Sequence, residues 1–412
     1  MSSVRQAAGL HEDRMAVSRD VAIQHATHRI ESRPRPTLVD LERLRSSTRV
    51  CAWFAIGGWW ILSRALVVVT AAVVQYTQWP AGAWRPALAH RPLALLTAWD
   101  GRWYRMVAER GYLVIPRHQS DTAFFPLYPA LLRAGRAVGL SADTAGLLIA
   151  NLALLVALVA LYELVRVWTD ERTARRAAVY AAIFPVGYVF SMVYPEAVVL
   201  AGMSVAGVLA ARGRWTGAAA AAAVAALTRP EGLLLILPLG VLAARTWRGA
   251  DASSRRRALT AVAAAPAALA GVCAYEWRTF GDAFAFSTAQ RSWGRAFEAA
   301  GPVRAVEELV RSVGTPNAWL FRDAAFCVVY VMLIVIAARF VPTAWTAAAL
   351  LIVLLPLWSG SFTSDARFGL VAPPVYAGLA RVGSRRAADV ALRVCSVALL
   401  VVATATVLLR WP

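Results

Sequence analysis

The sequence predicts an all-α polytopic membrane protein, and three observations lead to that class. The chain has 412 residues, of which 59% are hydrophobic and only 16% are charged, and its mean hydropathy is +0.54. A soluble domain of this length would need more polar surface than this composition supplies. Apolar runs such as 52–76, 144–168 and 390–409 reach the roughly 20 residues that a helix needs to cross a bilayer. The runs are continuous and rich in Ala, Leu and Val, whereas strands of membrane barrels are about 10 residues long and alternate in polarity.

The first 50 residues differ from the rest of the chain because they are polar and rich in arginine. They are too polar and too long before the first apolar run to be a secretory signal. We therefore expect 1–50 to be a disordered cytoplasmic tail and 51–412 to be the membrane domain. The formal net charge is +19, but the arginines lie in this tail and in short connections between spans, a distribution that does not predict nucleic-acid binding.

Eleven apolar segments are predicted to span the membrane. In chain order they are 52–77, 144–168, 176–193, 195–211, 216–228, 231–247, 258–280, 324–340, 343–358, 369–381 and 390–410. Two of them, 216–228 and 369–381, are short for a bilayer and are typical of broken or tilted helices that line a cavity.

The arginines predict which connections face which side. With the tail inside, the inner connections are all basic: 170–176, 212–214, 245–257, the one at Arg339, and 381–386. The outer connections are richer in aromatic and acidic residues: 78–143, 194–196, 228–231, 281–323 and 358–368. Segment 125–140, with Pro126 and Pro129, is predicted to be a helix along the outer interface. We expect a multi-pass protein of the plasma membrane, with its site on the extracytoplasmic face.

The long first outer connection contains Trp-Asp-Gly-Arg-Trp-Tyr at 99–104, Gly-Tyr at 111–112 and Phe-Phe-Pro-Leu-Tyr-Pro at 124–129. Trp and Tyr gather at membrane interfaces, so an aromatic belt with a helix starting at Asp100 would account for much of this composition. The alternative is chemical. A partly desolvated carboxylate at Asp100, at the depth of the head group of a lipid-linked substrate, would accept a proton from a hydroxyl.

Further motifs occur in the other outer connections, and the set resembles a known family. They are Phe184-Pro185 to Tyr194-Pro195-Glu196, Leu227-Thr228-Arg229-Pro230-Glu231-Gly232, Gly281-Asp282-Ala283-Phe284-Ala285-Phe286 with Gln290 and Trp293-Gly294, and Ser364 to Arg367-Phe368. With the first connection, they are similar to the PIG-V family, the GPI second-mannose transferases and their bacterial relatives, which have the GT-C fold. The resemblance runs from the first span to residue 380, and the arginine placement puts all five motifs on one outer face.

The resemblance implies inverting transfer of mannose from a polyprenyl-phosphate-mannose donor to a hydroxyl of a lipid-linked or cell-envelope acceptor. It matches Asp100 to the family's loop aspartate, which we expect to be the general base. The leaving phosphate gains negative charge, so the candidates for binding it are Arg367, Arg229 and Arg102, with Arg367 first. The other candidate substrate-binding residues are aromatic or acidic: Trp99, Trp103, Tyr104, Tyr194, Glu196, Glu231 and Asp282.

Several of these residues also have a structural interpretation. Arg367 would serve as a cation anchored at the interface, and Glu231 as an ion-pair partner of Arg229. Asp282 would serve as a turn or a helix cap. No cofactor is predicted: Asp100, Glu196 and Asp282 would hold a divalent metal if they converge, but their spacing carries no metal signature.

Two other functions stay open. A GT-C enzyme that uses prenyl-linked arabinose or glucose would carry the same motifs. A transporter or flippase for a lipid-linked sugar would place ionisable groups near the bilayer midplane and often shows inverted repeats, whereas the predicted spans are nearly free of charge. The sequence specifies neither the acceptor, nor the polyprenol, nor an accessory subunit.

Overall fold

The computed structural model describes residues 38–78, 93–114 and 119–409, which form helices joined by turns, with no β-strand in those ranges. The predicted class, an all-α polytopic membrane protein, is confirmed. The GT-C type in particular stays a prediction. The chain divides into two compact units at Phe54 and Ala55, and everything below concerns the second unit except the start of the first helix.

Sixteen α-helices occur in the described ranges. They are α1 (Leu38–Gln78), α2 (Asp100–Arg110), α3 (Leu127–Ala137), α4 (Ala142–Trp168), α5 (Glu171–Ala182), α6 (Glu196–Ala211), α7 (Trp215–Thr228), α8 (Ile236–Thr246), α9 (Ala252–Phe280), α10 (Ala285–Gln290), α11 (Gly301–Arg311), α12 (Ala318–Ala337), α13 (Thr343–Leu354), α14 (Asp365–Phe368), α15 (Pro373–Val382) and α16 (Arg386–Leu409). Helix α1 begins inside the segment predicted as a tail, and residues 1–37 lie outside the described part.

Six helical segments of the described chain are long and apolar enough to cross a membrane: Arg49–Thr77, Ala142–Trp168, Pro230–Gly249, Ala252–Phe280, Ala318–Ala337 and Arg386–Leu408. Shorter apolar helices cover Glu196–Ala211, Trp215–Thr228 and Thr343–Ser359. Each of the eleven predicted spans therefore contains helix. Only six helical segments of the described chain are long and apolar enough to cross a membrane, so the predicted count of eleven is not confirmed.

The predicted span 176–193 is wrong as a continuous helix. Helix α5 ends at Ala182, and a separate 3-10 helix follows at Gly187–Ser191. Pro185 disfavours helical backbone at the residue before it, which accounts for the break. The freed carbonyls are satisfied by Arg64 of α1, whose guanidinium donates to the carbonyl oxygens of Ala182 and Gly187, both at 3.0 Å. A buried arginine therefore lies within the first span, which the sequence-based view of nearly charge-free spans overlooked.

The first outer connection contributes two helices, α2 and α3, that pack on α4 around an aromatic core. Tyr104 of α2 lies edge-on to Phe124 and Tyr128, with ring centroids 4.9 and 5.0 Å apart. Helix α3 has 11 residues, about half the length a span requires, consistent with the prediction that this segment does not cross. This packing fixes the N-terminus of α2, where Asp100 lies.

The second long connection is shorter than predicted because α12 begins at Ala318 rather than near 324. Arg322 and Asp323 were assigned to the loop but lie in the early turns of α12. The connection 281–317 carries the short helices α10 and α11. The structure thus places a charged pair at the start of an apolar helix, close to the segment that carries Arg367.

Candidate functional site

A continuous network of charged side chains joins four distant parts of the chain. Arg367 Nη1 donates to Asp100 Oδ2 at 2.5 Å and lies 3.6 Å from Glu196 Oε1. Arg229 Nη1 donates to the same Glu196 oxygen at 2.9 Å. Glu231 completes the network through Arg229. We refer to these five residues, Asp100, Glu196, Arg229, Glu231 and Arg367, as the charged network.

Arg229 is held by its carboxylate partners on every nitrogen. Its Nε and Nη2 donate to Glu231 at 3.1 and 2.7 Å, and its Nη1 donates to Glu196. The geometry arises locally, because α7 ends at Thr228 and Arg229 is extended before the 3-10 helix that starts at Pro230. The structural interpretation of Glu231, as an ion-pair partner of Arg229, therefore has direct geometric support.

Asp100 lies in the first turn of α2, and its position depends on Tyr194. Its backbone N–H donates to the phenolic oxygen of Tyr194 at 3.2 Å. The guanidinium of Arg367 lies over the Tyr194 ring, 5.1 Å from the centroid. Burial raises the pKa of Tyr194 well above its usual range, so the phenol keeps its proton. Tyr194 thus supports both members of the Asp100–Arg367 pair.

Backbone strain flanks the same pair. In the described chain, three non-glycine residues have positive φ, and two of them are Trp99, at 56°, and Ser364, at 77°. Trp99 directly precedes Asp100, and Ser364 lies three residues before Arg367. Such conformations are costly for residues with a Cβ and tend to occur at functional sites.

The charged network contains one more carboxylate than guanidinium, and it is largely withdrawn from solvent. The side chain of Glu196 is 1% exposed, and its Oε2 has no hydrogen-bond partner within the described residues. Burial opposes the charge of Arg367, but the carboxylates of Asp100 and Glu196 outweigh it and raise the pKa of Arg367 well above its ordinary value. Arg367 is therefore a permanent cation. The side chain of Asp100 is 26% exposed and that of Arg367 is 17% exposed, so Asp100 is the more accessible member of the pair.

Three aromatic side chains, Trp103, Phe124 and Trp293, pack together on and near α2, and we refer to them as the aromatic wall. Trp103 stacks on Phe124 at 5.9 Å and meets Trp293 edge-on at 5.2 Å. Trp293 belongs to the motif after α10, so this contact joins the first and second long connections. Trp99 is 40% exposed and precedes Asp100. Flat apolar faces next to a charged cluster are typical of carbohydrate and prenyl-chain binding, where one surface must contact both polar and apolar groups.

Two of the sequence-predicted residues lie apart from the network. Arg102 is exposed, and its side chain forms no ion pair or hydrogen bond with the described residues. Asp282 accepts a hydrogen bond from the backbone N–H of Phe284 at 2.8 Å, which is the turn that the sequence offered as its alternative. The structure brings together the other predicted polar residues, but not these two.

Sequence reasoning missed a second polar group next to Arg367. Arg295 donates to Ser364 Oγ at 3.0 Å and to the Thr363 carbonyl at 3.2 Å. Asp323 accepts the backbone N–H of Ser364 at 2.7 Å and is held by Arg322. The signal available was an adjacent Arg-Asp pair, Arg322 and Asp323, directly before an apolar run.

Asp365 lies in the same region and is buried. Burial and the charge of Asp323 raise its pKa to about 8, so its neutral acid form predominates at pH 7. Nothing in the local sequence predicts this shift, because it comes from surroundings that other segments supply.

The described residues contain no group of three or more His, Cys, Asp or Glu side chains arranged to hold a metal ion. Asp100 and Glu196 do approach each other, but Arg367 lies between them, and Asp282 is engaged in its turn. The suggested convergence of these three carboxylates on a metal is therefore not seen, and no step below depends on one.

No family model and no curated protein matches this chain. Among solved structures, it is similar to the oligosaccharyltransferase of Archaeoglobus fulgidus. The apo form gives a TM-score of 0.41 at 13% identity, covering 83% of this chain and 56% of that chain. The complex with an inhibitory peptide and a dolichol-phosphate gives 0.38 at 14% identity, covering 84% and 55%. The chain thus spans little more than half the length of these proteins, and a likeness at this TM-score carries no argument about activity, substrates or partners.

Proposed function

We propose that this protein is an inverting glycosyltransferase of the GT-C type that moves mannose from polyprenyl-phosphate-mannose to a hydroxyl of a lipid-linked or cell-envelope acceptor. The observation that carries the proposal is the assembly of the charged network. Asp100 and Arg367 are 267 positions apart, yet they form one ion pair, and Glu196 and Arg229 come from two further motifs. Residues from four of the motifs that resemble the PIG-V family thus meet in one network.

The chemistry requires one base and one cation. In the proposed reaction, Asp100 takes the proton from the acceptor hydroxyl as its oxygen attacks the anomeric carbon. The bond from that carbon to the phosphate oxygen breaks, and the electron pair leaves with the polyprenyl phosphate. The phosphate changes from a diester monoanion to a monoester dianion, and the fixed positive charge of Arg367 stabilises this increase. The proton on Asp100 then passes to solvent.

A single displacement accounts for inversion at the anomeric carbon. Retention through a covalent intermediate would need a second carboxylate free to act as a nucleophile. Glu196 and Glu231 are the other carboxylates of the network, and both are bound to Arg229. Asp100 is also paired, with Arg367, but its side chain is 26% exposed, against 1% for Glu196 and 13% for Glu231, so it is the best placed to act as the base.

The proposal also assigns the site to the extracytoplasmic face of the plasma membrane. Support comes from the positive-inside pattern, because short connections dense in arginine alternate with connections richer in aromatic and acidic residues, and the network residues lie in the latter. A lipid-linked donor fits this location, since no nucleotide sugar is available there. The membrane-embedded helices and the aromatic wall would hold the prenyl chain and the sugar respectively.

The deciding experiment measures sugar transfer by purified protein in detergent. Radiolabelled polyprenyl-phosphate-mannose is supplied with total membrane lipid extract, and prenyl-linked arabinose and glucose are tested in parallel. We expect transfer of mannose by the wild type and a loss of roughly 100-fold or more in Asp100→Asn, the range for removal of a general base.

Glu307→Gln is the matched control, because Glu307 lies on α11 in an exposed ion pair with Arg311, and it should transfer at the wild-type rate. Transfer only from arabinose or glucose would contradict the donor assignment. No transfer from any of the three donors would contradict the enzyme proposal and favour transport of a lipid-linked sugar. Full activity in Asp100→Asn would show that Asp100 is not the base.

A further inference from the structure

Arg295 lies beside Arg367, on a loop that the charged network does not include. It follows Trp293 and Gly294 and is half-buried. Its Nη2 donates to Ser364 Oγ and to the Thr363 carbonyl, both neutral acceptors. Because Ser364 is three residues before Arg367, these bonds hold the Arg295 guanidinium against the segment that carries Arg367.

The two guanidiniums share a feature that Arg229 lacks, which is a pair of nitrogens that donate to no described residue. A guanidinium has five N–H donors in a planar fork. In Arg367 the free nitrogens are Nε and Nη2, which lie on one edge of the fork, and in Arg295 they are Nε and Nη1, whose N–H groups point to opposite sides. None of these four nitrogens is a fully buried polar atom without a partner, so each keeps some exposed surface. In Arg229, by contrast, carboxylates occupy all three nitrogens.

Arg295 also lacks a counter-ion among the described residues. No carboxylate oxygen there lies within 4.0 Å of its nitrogens, whereas Arg322 has one carboxylate partner and Arg229 and Arg367 have two each. Burial, followed by the positive charge of Arg367, lowers the pKa of Arg295, and Arg229 adds to this while Asp100 and Asp365 oppose it. Two cations on neighbouring segments, each with free donors, form a site that an anion would complete.

We propose that Arg295 and Arg367 together bind the phosphate group of a prenyl-linked donor, Arg367 through its free Nε–Nη2 edge and Arg295 through one free nitrogen. The assignment rests on the proposed function for the identity of the ligand. It replaces Arg102 and Arg229 as phosphate ligands, the first because it lies apart and the second because its donors are occupied. Since Arg367 contacts Asp100 through Nη1 alone, the phosphate and the base occupy different edges of one guanidinium, which fixes their separation.

The test measures binding of radiolabelled farnesyl phosphate to the purified full-length protein by equilibrium dialysis, with unlabelled farnesol as the neutral competitor. Loss of a charge-assisted hydrogen bond predicts that Arg295→Gln binds roughly 10-fold more weakly or worse. Arg311→Gln, which removes an exposed arginine on α11, should bind like the wild type. Farnesol should compete poorly, because the affinity comes from the phosphate.

Two further variants separate phosphate binding from support of the loop. Ser364→Ala removes one acceptor of Arg295 but leaves its free nitrogens, Nε and Nη1, so it should weaken binding far less than Arg295→Gln. Arg295→Lys keeps the charge but not the fork and should bind with intermediate affinity. Equal losses in Ser364→Ala and Arg295→Gln, wild-type binding by Arg295→Gln, or equal competition by farnesol would each overturn the assignment.

The donor KM in the transfer assay distinguishes this proposal from the proposed function. If the wild type transfers mannose and Arg295→Gln has an unchanged donor KM, the phosphate site is wrong and the transferase stands. If farnesyl phosphate binds in an Arg295-dependent manner but no sugar moves from any donor, the phosphate site stands and the transferase is wrong.

Discussion

Arg229 and Arg367 belong to the same network but have different surroundings. Arg229 contacts Glu196 and Glu231, whose side chains are 1% and 13% exposed, and all its nitrogens are engaged. Arg367 contacts chiefly Asp100, which is more exposed, and keeps two nitrogens free. Removing one partner of a buried ion pair leaves a desolvated charge, whereas a solvated partner is screened by water. We infer that Arg229 mainly stabilises the site and Arg367 mainly serves its chemistry.

The first prediction compares Arg229→Met with Arg367→Met. Arg229→Met should lower the free energy of unfolding by about 3–5 kcal/mol, because it strands the buried carboxylate of Glu196. Arg367→Met should lower it by less, because its chief partner Asp100 is 26% exposed and stays partly solvated, while abolishing transfer. Thermal unfolding of both proteins in one detergent checks the order. A lower Tm for Arg367→Met than for Arg229→Met would contradict this division of roles.

Among the elements, the turn after α7 depends on a close approach between backbone segments. A Cβ built on Gly232 would lie 2.3 Å from the backbone carbon of Ala225, so no other residue fits without movement. The turn begins at Arg229, extended and followed by Pro230, and it aims the guanidinium at Glu196. The position of one arginine in the network therefore depends on the absence of a side chain three residues later.

The second prediction concerns Gly232→Ala. The added methyl should push the turn away from α7, lower the free energy of unfolding by about 1–3 kcal/mol and reduce transfer. Gly271→Ala is the matched control, because Gly271 lies inside α9 with nothing within 4 Å of its would-be Cβ. That change should be neutral or stabilise by up to about 1 kcal/mol. Tm and transfer rate are the readouts, and equal behaviour of the two variants would contradict the steric argument.

For the molecule as a whole, the arrangement of charge across the membrane connects the fold to the proposed function. The basic connections and the connections that carry the network alternate along the chain. If the alternation reflects orientation, all network residues lie on the face opposite Arg248. The proposed function requires this orientation, in which a lipid-linked donor would have access to the site.

The third prediction tests that orientation by cysteine labelling in cells. The four native cysteines are first replaced, and Asp282→Cys and Arg248→Cys are then made separately. A membrane-impermeant maleimide should label Asp282→Cys in intact cells and Arg248→Cys only after lysis. Labelling of both from the same side would contradict the topology and, with it, the extracytoplasmic site.

Sequence reasoning was least accurate at the ends of the predicted spans. Pro185 lies inside the predicted span 176–193 and was sufficient reason to expect the break observed after Ala182, which the prediction of a continuous span missed. The boundary of α12 was misplaced because Arg322 and Asp323 suggest a loop, whereas their mutual ion pair lets them begin a helix. Arg64 was overlooked because its burial depends on carbonyls that a distant helix end presents.

The sequence by itself determined the class of this protein, because lipid requires backbone polar groups to be paired within each segment, and only helices satisfy that in long apolar runs. It also determined the candidate site residues, since the motifs that contain Asp100, Glu196, Arg229 and Arg367 lie in connections richer in aromatic and acidic residues. Only the tertiary structure decided which guanidinium faces which carboxylate, and which keeps donors free. Those choices depend on side chains up to 267 positions apart, brought together by packing that no local pattern records.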